Sequence, residues 1–176
     1  MLRGTFYLTQ QCGKRWMAEG QRAAVVSIVT TWVWNGSPFV VPSAMSKAGI
    51  GAMTQSLAVE WGGKGIRFNA IAPGPFPTEG MTARLHPGEG QAAFAEMRRN
   101  PLGRVGRMPE LANLAVYLLH PGSEYVNGQI IAIDGGEYQA TGGNFSELRG
   151  WTDEQWRAAR EAARAADETE KRKRSV

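Results

Sequence analysis

Lys47 stands four residues after Ser43. In a helix that spacing puts both side chains on one face, one turn apart. An ammonium there offers three N–H donors, enough to hold the paired hydroxyls of a ribose, and its charge favours a neighbouring group that turns anionic in a reaction. Spacing alone does not demand this, because a solvated helix lysine fits it as well. A second candidate is Pro73-Gly74-Pro75. Its prolines fix φ and its glycine permits close approach, so the loop could lie flat against a planar ring or be an ordinary rigid turn.

These residues need elements to hold them. Apolar runs at 23–29, 66–72 and 129–133 have the length and continuity of buried parallel strands. Helical patterns at 43–61 and 109–119 lie between them as crossovers. Strands joined this way cross over right-handedly into an open α/β sheet that takes its ligands at the carboxyl ends of the strands. Pro73 follows directly on the second strand, at such an end.

Several helix boundaries are chemically marked. Pro109 suits a first helical turn, Glu110 suits the positive end of the dipole, and Leu111, Leu114, Ala115 and Leu118 recur on one face. Gly62-Gly63 can close the helix that begins near Ser43. That helix carries Ala44, Ala48, Gly49, Gly51 and Ala52, small residues that leave room for another helix or a ligand. Residues 4–19 read as a helix bearing Phe6, Leu8, Trp16 and Met17, with no strand before it. Thr152 and Gln155 have capping-box spacing for a last helix through Trp156, Ala159 and Ala163.

The composition is that of a globular chain. Its 176 residues carry 20 Lys plus Arg against 16 Asp plus Glu, a net charge of +4, and one cysteine, Cys12, so a disulfide framework is excluded. No run of 18 or more apolar residues occurs, and Met1-Leu2-Arg3-Gly4 does not open a cleavable signal. A reducing, cytoplasmic address is expected, or a mitochondrial one in a eukaryote. Lys171 to Arg174 concentrate the basic excess at the chain end, where such runs are commonly solvated; neither nucleic acid nor membrane is expected as a partner, and no metal.

Four stretches in a fixed order carry a resemblance: Ser27-Ile28-Val29-Thr30-Thr31, Ser43-Ala44-Met45-Ser46-Lys47-Ala48-Gly49, Arg67-Phe68-Asn69-Ala70-Ile71-Ala72-Pro73-Gly74-Pro75, and Asn127-Gly128 through Asp134-Gly135-Gly136. Together they resemble the C-terminal half of the short-chain dehydrogenase/reductase family. Within it the chain is most similar to the 2,4-dienoyl-CoA reductases of the mitochondrial and bacterial type, through Gly36-Ser37-Pro38-Phe39, Ala58-Val59-Glu60-Trp61-Gly62 and Pro75-Phe76-Pro77-Thr78-Glu79-Gly80. The resemblance implies the C-terminal part of a Rossmann-like doubly wound parallel sheet: three strands with flanking helices over residues 1–150, the N-terminal half missing, then a surface helix and basic tail over 151–176.

The same resemblance implies roles. Lys47 holds the cofactor, NADPH, and Ser43 helps order the site; Pro73, Gly74, Pro75 and Phe76 line the nicotinamide, and Thr78 reaches the pyrophosphate. Arg84 falls where relatives hold a phosphate of coenzyme A, a contact that competes with a surface salt bridge. The activity implied is NADPH-dependent reduction of 2,4-dienoyl-CoA thioesters in the β-oxidation of unsaturated fatty acids, with an acyl-CoA substrate and a homo-oligomeric assembly. Two departures stand beside it. The Thr-Gly-x-x-x-Gly-x-Gly turn that binds the dinucleotide is absent, so the cofactor-binding half is expected to lie outside this chain and activity to be impaired. Trp32 stands where the dienoyl-CoA reductases carry a catalytic Tyr, fifteen residues before the Lys, and its indole N–H can donate a hydrogen bond but cannot relay a proton. The alternatives are another acyl-thioester reductase of 3-oxoacyl type, which would want a Tyr where Ser43 stands, and a non-catalytic interaction module built on the helix after Ser43.

Overall fold

The computed structural model describes residues 1–77, 100–142 and 145–174. Helix α1 (Leu2–Ala18) leads into strand β1 (Ala23–Ile28), the one-turn helix α2 (Trp32–Asn35), the long helix α3 (Val41–Gly62) and strand β2 (Ile66–Pro73). Helix α4 (Met108–Leu119), strand β3 (Ile130–Ile133), the short helix α5 (Glu137–Ala140) and helix α6 (Asp153–Arg174) follow. The strands form one parallel sheet in the order β1-β2-β3. No strand pairs with the outer edge of β1 among the described residues.

Each predicted strand is present with one end moved by one residue. Val29 has left β1, though its N–H still donates to the carbonyl of Ile71. β2 runs on to Pro73 because proline tolerates the end of a strand and its partner Ile133 stays in register. α3 begins two residues earlier than the apolar pattern suggests, since Pro42 in the first turn forfeits no helical hydrogen bond. Its closure also differs in detail. Gly63 remains right-handed and Gly65, with φ near 78°, makes the left-handed step into β2.

Alternation along β2 decides what each face touches. Ile66, Phe68, Ala70 and Ala72, all almost fully buried, face α3, where they meet Ile50, Ala58 and Trp61. Burying a side chain such as Phe68 is worth about 1.5–3 kcal/mol, so this face carries the core. Arg67 and Asn69 turn to the opposite face. Arg67 donates to the carbonyls of Leu118, His120 and Val126, satisfying the negative end of α4, while Asn69 donates to Val126 and accepts from the Gln129 N–H.

The small residues of α3 meet neighbours closely. A Cβ on Gly49 would lie 2.7 Å from Leu2 of α1, and one on Gly51 would lie 3.1 Å from Ile130 of β3. α1 reciprocates, for a Cβ on Gly13 would lie 2.2 Å from the Trp61 ring. Met1–Thr141 make one compact unit and Gly142–Val176 a second. In the second, Thr152 and Gln155 exchange the two hydrogen bonds of a capping box at the start of α6, and the Trp151 and Trp156 rings lie 5.0 Å apart.

Candidate active site

α3 lies across the sheet so that Lys47 reaches the end of β1, where its ammonium donates to the carbonyl oxygen of Ile28. This anchor uses one of three N–H donors and leaves two for a ligand. Burial disfavours the charged form and lowers the Lys47 pKa from its ordinary value. Ser43 is half-buried one turn earlier on the same helix. Beyond Ile28 the chain buries Thr30 and Thr31, then turns into α2, which packs on α3 and begins with the exposed Trp32. Lys47, Ser43 and the start of α2 therefore gather at the carboxyl end of β1.

Pro73-Gly74-Pro75 leaves the neighbouring strand at the same level. Ile28 pairs with Ile71, so Pro73 lies two residues further on in the adjacent strand, roughly 8 Å from Ile28 between Cα atoms given ordinary strand spacings. The Gly74 N–H donates to the carbonyl of Ile133, and a Cβ on Gly74 would come within 2.7 Å of Asp134 Cβ and 2.9 Å of its Cα. Glycine is required there by contact with Asp134, the residue that follows β3. Phe76 turns inward: its ring is buried against Gly106, where a Cβ would lie 2.4 Å away, and the carbonyl of Pro75 accepts from the Gly106 N–H. Thr78 and Arg84 lie outside the described residues.

Asn100 and Arg104, which no motif in the sequence singles out, join Asp134 and Glu110 around this loop. Asn100 donates to the carbonyl of Asp134 and accepts from the Leu102 N–H, while the Asp134 carboxylate accepts from the N–H groups of Gly136 and Tyr138. Arg104 makes a two-pronged pair with Glu110, which also accepts from the backbone and side chain of Arg107; these contacts, the Arg104 bond first, hold the Glu110 carboxyl well below the usual carboxylate range. Asn100-Pro101-Leu102-Gly103 has turn chemistry that could have drawn notice, but nothing local says what the Asn would hold. Among the described residues no cluster of His, Cys, Asp or Glu could hold a metal ion, and no helix is long and apolar enough to cross a membrane.

This geometry has relatives. The profile of the family described as enoyl-(acyl carrier protein) reductase matches residues 1–137. A short-chain dehydrogenase structure from Bacillus anthracis superimposes with a TM-score of 0.68 at 41% identity, over 78% of this chain and 52% of that one. The chain belongs to the short-chain dehydrogenase/reductase family. Another member, a Caenorhabditis elegans protein named probable 2,4-dienoyl-CoA reductase, is 41% identical over 97% of this short-chain dehydrogenase/reductase and 56% of its own length. A gluconate 5-dehydrogenase from Burkholderia cenocepacia, solved with NADP and tartrate, shares the fold at a TM-score of 0.71 and 29% identity, over 78% of this chain and 53% of its own. The chain thus spans about half the length of the relatives it matches, and within that span it keeps the family's three parallel strands and flanking helices.

Proposed function

We propose that this chain is the C-terminal part of an NADPH-dependent reductase of 2,4-dienoyl-CoA thioesters. The observation that carries the reading is that Lys47, anchored on Ile28, and the Pro73-Gly74-Pro75 loop stand at the same end of the sheet on adjacent strands. A nicotinamide dinucleotide suits the donor set, because the two remaining Lys47 donors match the two hydroxyls of a ribose. When bound, NADPH supplies the hydride. Lys47 holds and orients it, and the Ile28 carbonyl keeps the ammonium aimed; Ser43 stands one turn away and orders that face of α3. Pro73, Gly74 and Pro75 offer a stiff backbone surface to the ring, with the buried Phe76 fastening the loop from below. The thioester oxygen, which gathers negative charge, needs a hydrogen-bond donor, and Trp32 offers its indole N–H from the start of α2.

Support for this substrate over a polyol comes from the 41% identity to the C. elegans probable dienoyl-CoA reductase against 34% to a gluconate 5-dehydrogenase and 35% to a galactitol 2-dehydrogenase. The test is a chimera that places the N-terminal half of the C. elegans relative before this chain, followed by loss of NADPH absorbance. Turnover of 2,4-hexadienoyl-CoA is expected. Turnover of a 3-oxoacyl-CoA or a polyol with none of the dienoyl thioester would overturn the reading.

We also propose that the chain self-associates through α1 and α3. Between these helices lies a mainly apolar groove of about 530 Å³ lined by Leu2, Phe6, Tyr7, Met53 and Leu57, beside the exposed Leu8 and Val59. A second copy presents a like surface, which favours a two-fold pairing.

A further inference from the structure

Two short elements that no sequence motif joins meet over the end of the sheet. Trp34 of α2 and Tyr138 of α5 meet at a tilt of 41° with ring centroids 4.9 Å apart, and Asn35 donates to the Thr141 hydroxyl at 3.2 Å. α2 follows the end of β1 and α5 follows the end of β3, so the pair bridges both sides of β2, the strand that ends in Pro73. The bridge is firmly held. The Asp134 carboxylate accepts from the N–H groups of Gly136 and Tyr138, Asp134 abuts Gly74, and the Thr141 hydroxyl that receives Asn35 shares its one proton between the carbonyls of Glu137 and Tyr138. Yet Trp34 remains 42% exposed, so part of its indole is uncovered.

We infer that the Trp34–Tyr138 pair is a specificity-determining wall on which a flat, conjugated acyl group lies. This rests on the acyl-CoA reading above. The rings are too close for anything to pass between them, so the acyl group covers the part of the Trp34 indole that Tyr138 leaves uncovered. A conjugated acyl thioester keeps its sp² carbons in one plane and stacks along that face, whereas a saturated chain touches it only along an edge and a polyol must shed water from its hydroxyls to touch it at all. The pair therefore selects for conjugation next to the thioester, the feature the proposed reaction removes. Tyr138 acts through Trp34, setting the angle of the indole, and its hydroxyl is not needed for that.

The experiment uses the full chain and two coenzyme A thioesters of equal length, 2,4-hexadienoyl-CoA and hexanoyl-CoA, with affinities from calorimetry and with the dienoyl absorption band as a spectroscopic signature. The dienoyl thioester is expected to bind about three- to tenfold more tightly, the scale of one aromatic stack, with its band weakened and shifted to longer wavelength on binding. Trp34→Ala and Tyr138→Ala should abolish the preference and the band change, Tyr138→Phe should keep both, and hexanoyl-CoA affinity should hold in all three as the sign of an intact fold. Equal affinities in the parent, or a preference that survives Trp34→Ala, would overturn the wall while leaving the acyl-CoA reading in place. Failure of both thioesters to bind would overturn that reading and the wall with it.

Discussion

The Lys47 ammonium is tied to the carbonyl oxygen of Ile28 at the end of β1, a bond between the middle of α3 and the sheet it covers. It turns a side chain that would otherwise wander in solvent into a fixed donor half withdrawn from water. The anchor occupies the last carbonyl of a strand whose neighbour continues into Pro73-Gly74-Pro75. The ammonium and the loop are thus held at one level by the register of β1 on β2.

The depressed pKa of Lys47 has a consequence for stability. Its folded-state value lies below the ordinary 10.5 because burial disfavours the charge. In the window between the two values the unfolded chain binds more protons than the folded one, so stability rises with pH there, and the full penalty is present below it. Lys47→Met removes this titration. Urea unfolding midpoints measured from neutral to alkaline pH should rise across the window in the parent relative to the Met variant; parallel profiles would contradict the assignment.

Trp32 is tested in the chimera that carries the N-terminal half of the C. elegans relative. With its indole N–H as the donor to the thioester oxygen, Trp32→Phe is expected to lower turnover of 2,4-hexadienoyl-CoA by about a hundredfold, the scale of one well-placed oxyanion donor, with NADPH affinity unchanged, and Trp32→Tyr to change it little. A gain of about a hundredfold in Trp32→Tyr would instead mean that the indole only packs. Equal rates in all three proteins would put this position outside the chemistry.

Asn69 is almost wholly buried and joins β2 to the segment before β3 through Val126 and Gln129. Asn69→Leu keeps the branched shape but strands the Gln129 N–H, while the Val126 carbonyl keeps its bond from Arg67, which should cost about 1–3 kcal/mol of unfolding free energy. Chemical denaturation gives the value directly. A change under half a kcal/mol would mean that these groups find water or other partners.

The self-association proposed for the exposed apolar residues of α1 and α3 is expected to be concentration-dependent and breakable. Phe6 and Val59 are 45% and 86% exposed in the single chain. Phe6→Glu with Val59→Glu should shift the protein toward monomer by light scattering at tens of micromolar, with helix content preserved. An unchanged oligomer would move the interface elsewhere, with the open edge of β1 next to be tried by placing a proline there.

Much of this protein could be read in its sequence because the signals are local. The β2 run from Ile66 to Pro73 alternates between a face for α3 and a face for Arg67 and Asn69, and that period-two pattern needs no knowledge of the partner. Ser43 and Lys47 share a helix face by spacing alone, and Pro42 and Pro109 mark helix starts through the N–H they lack. The family, too, shows in the order of its motifs. Only the tertiary structure decided what these residues touch. That Lys47 ends on Ile28, that Phe76 turns inward against Gly106, that Gly13 is small for the sake of Trp61, and that Trp34 meets Tyr138 are all contacts between segments brought together by chain crossover. Such contacts are chosen by packing and strand register, which depend on the whole core at once, and no local pattern encodes them.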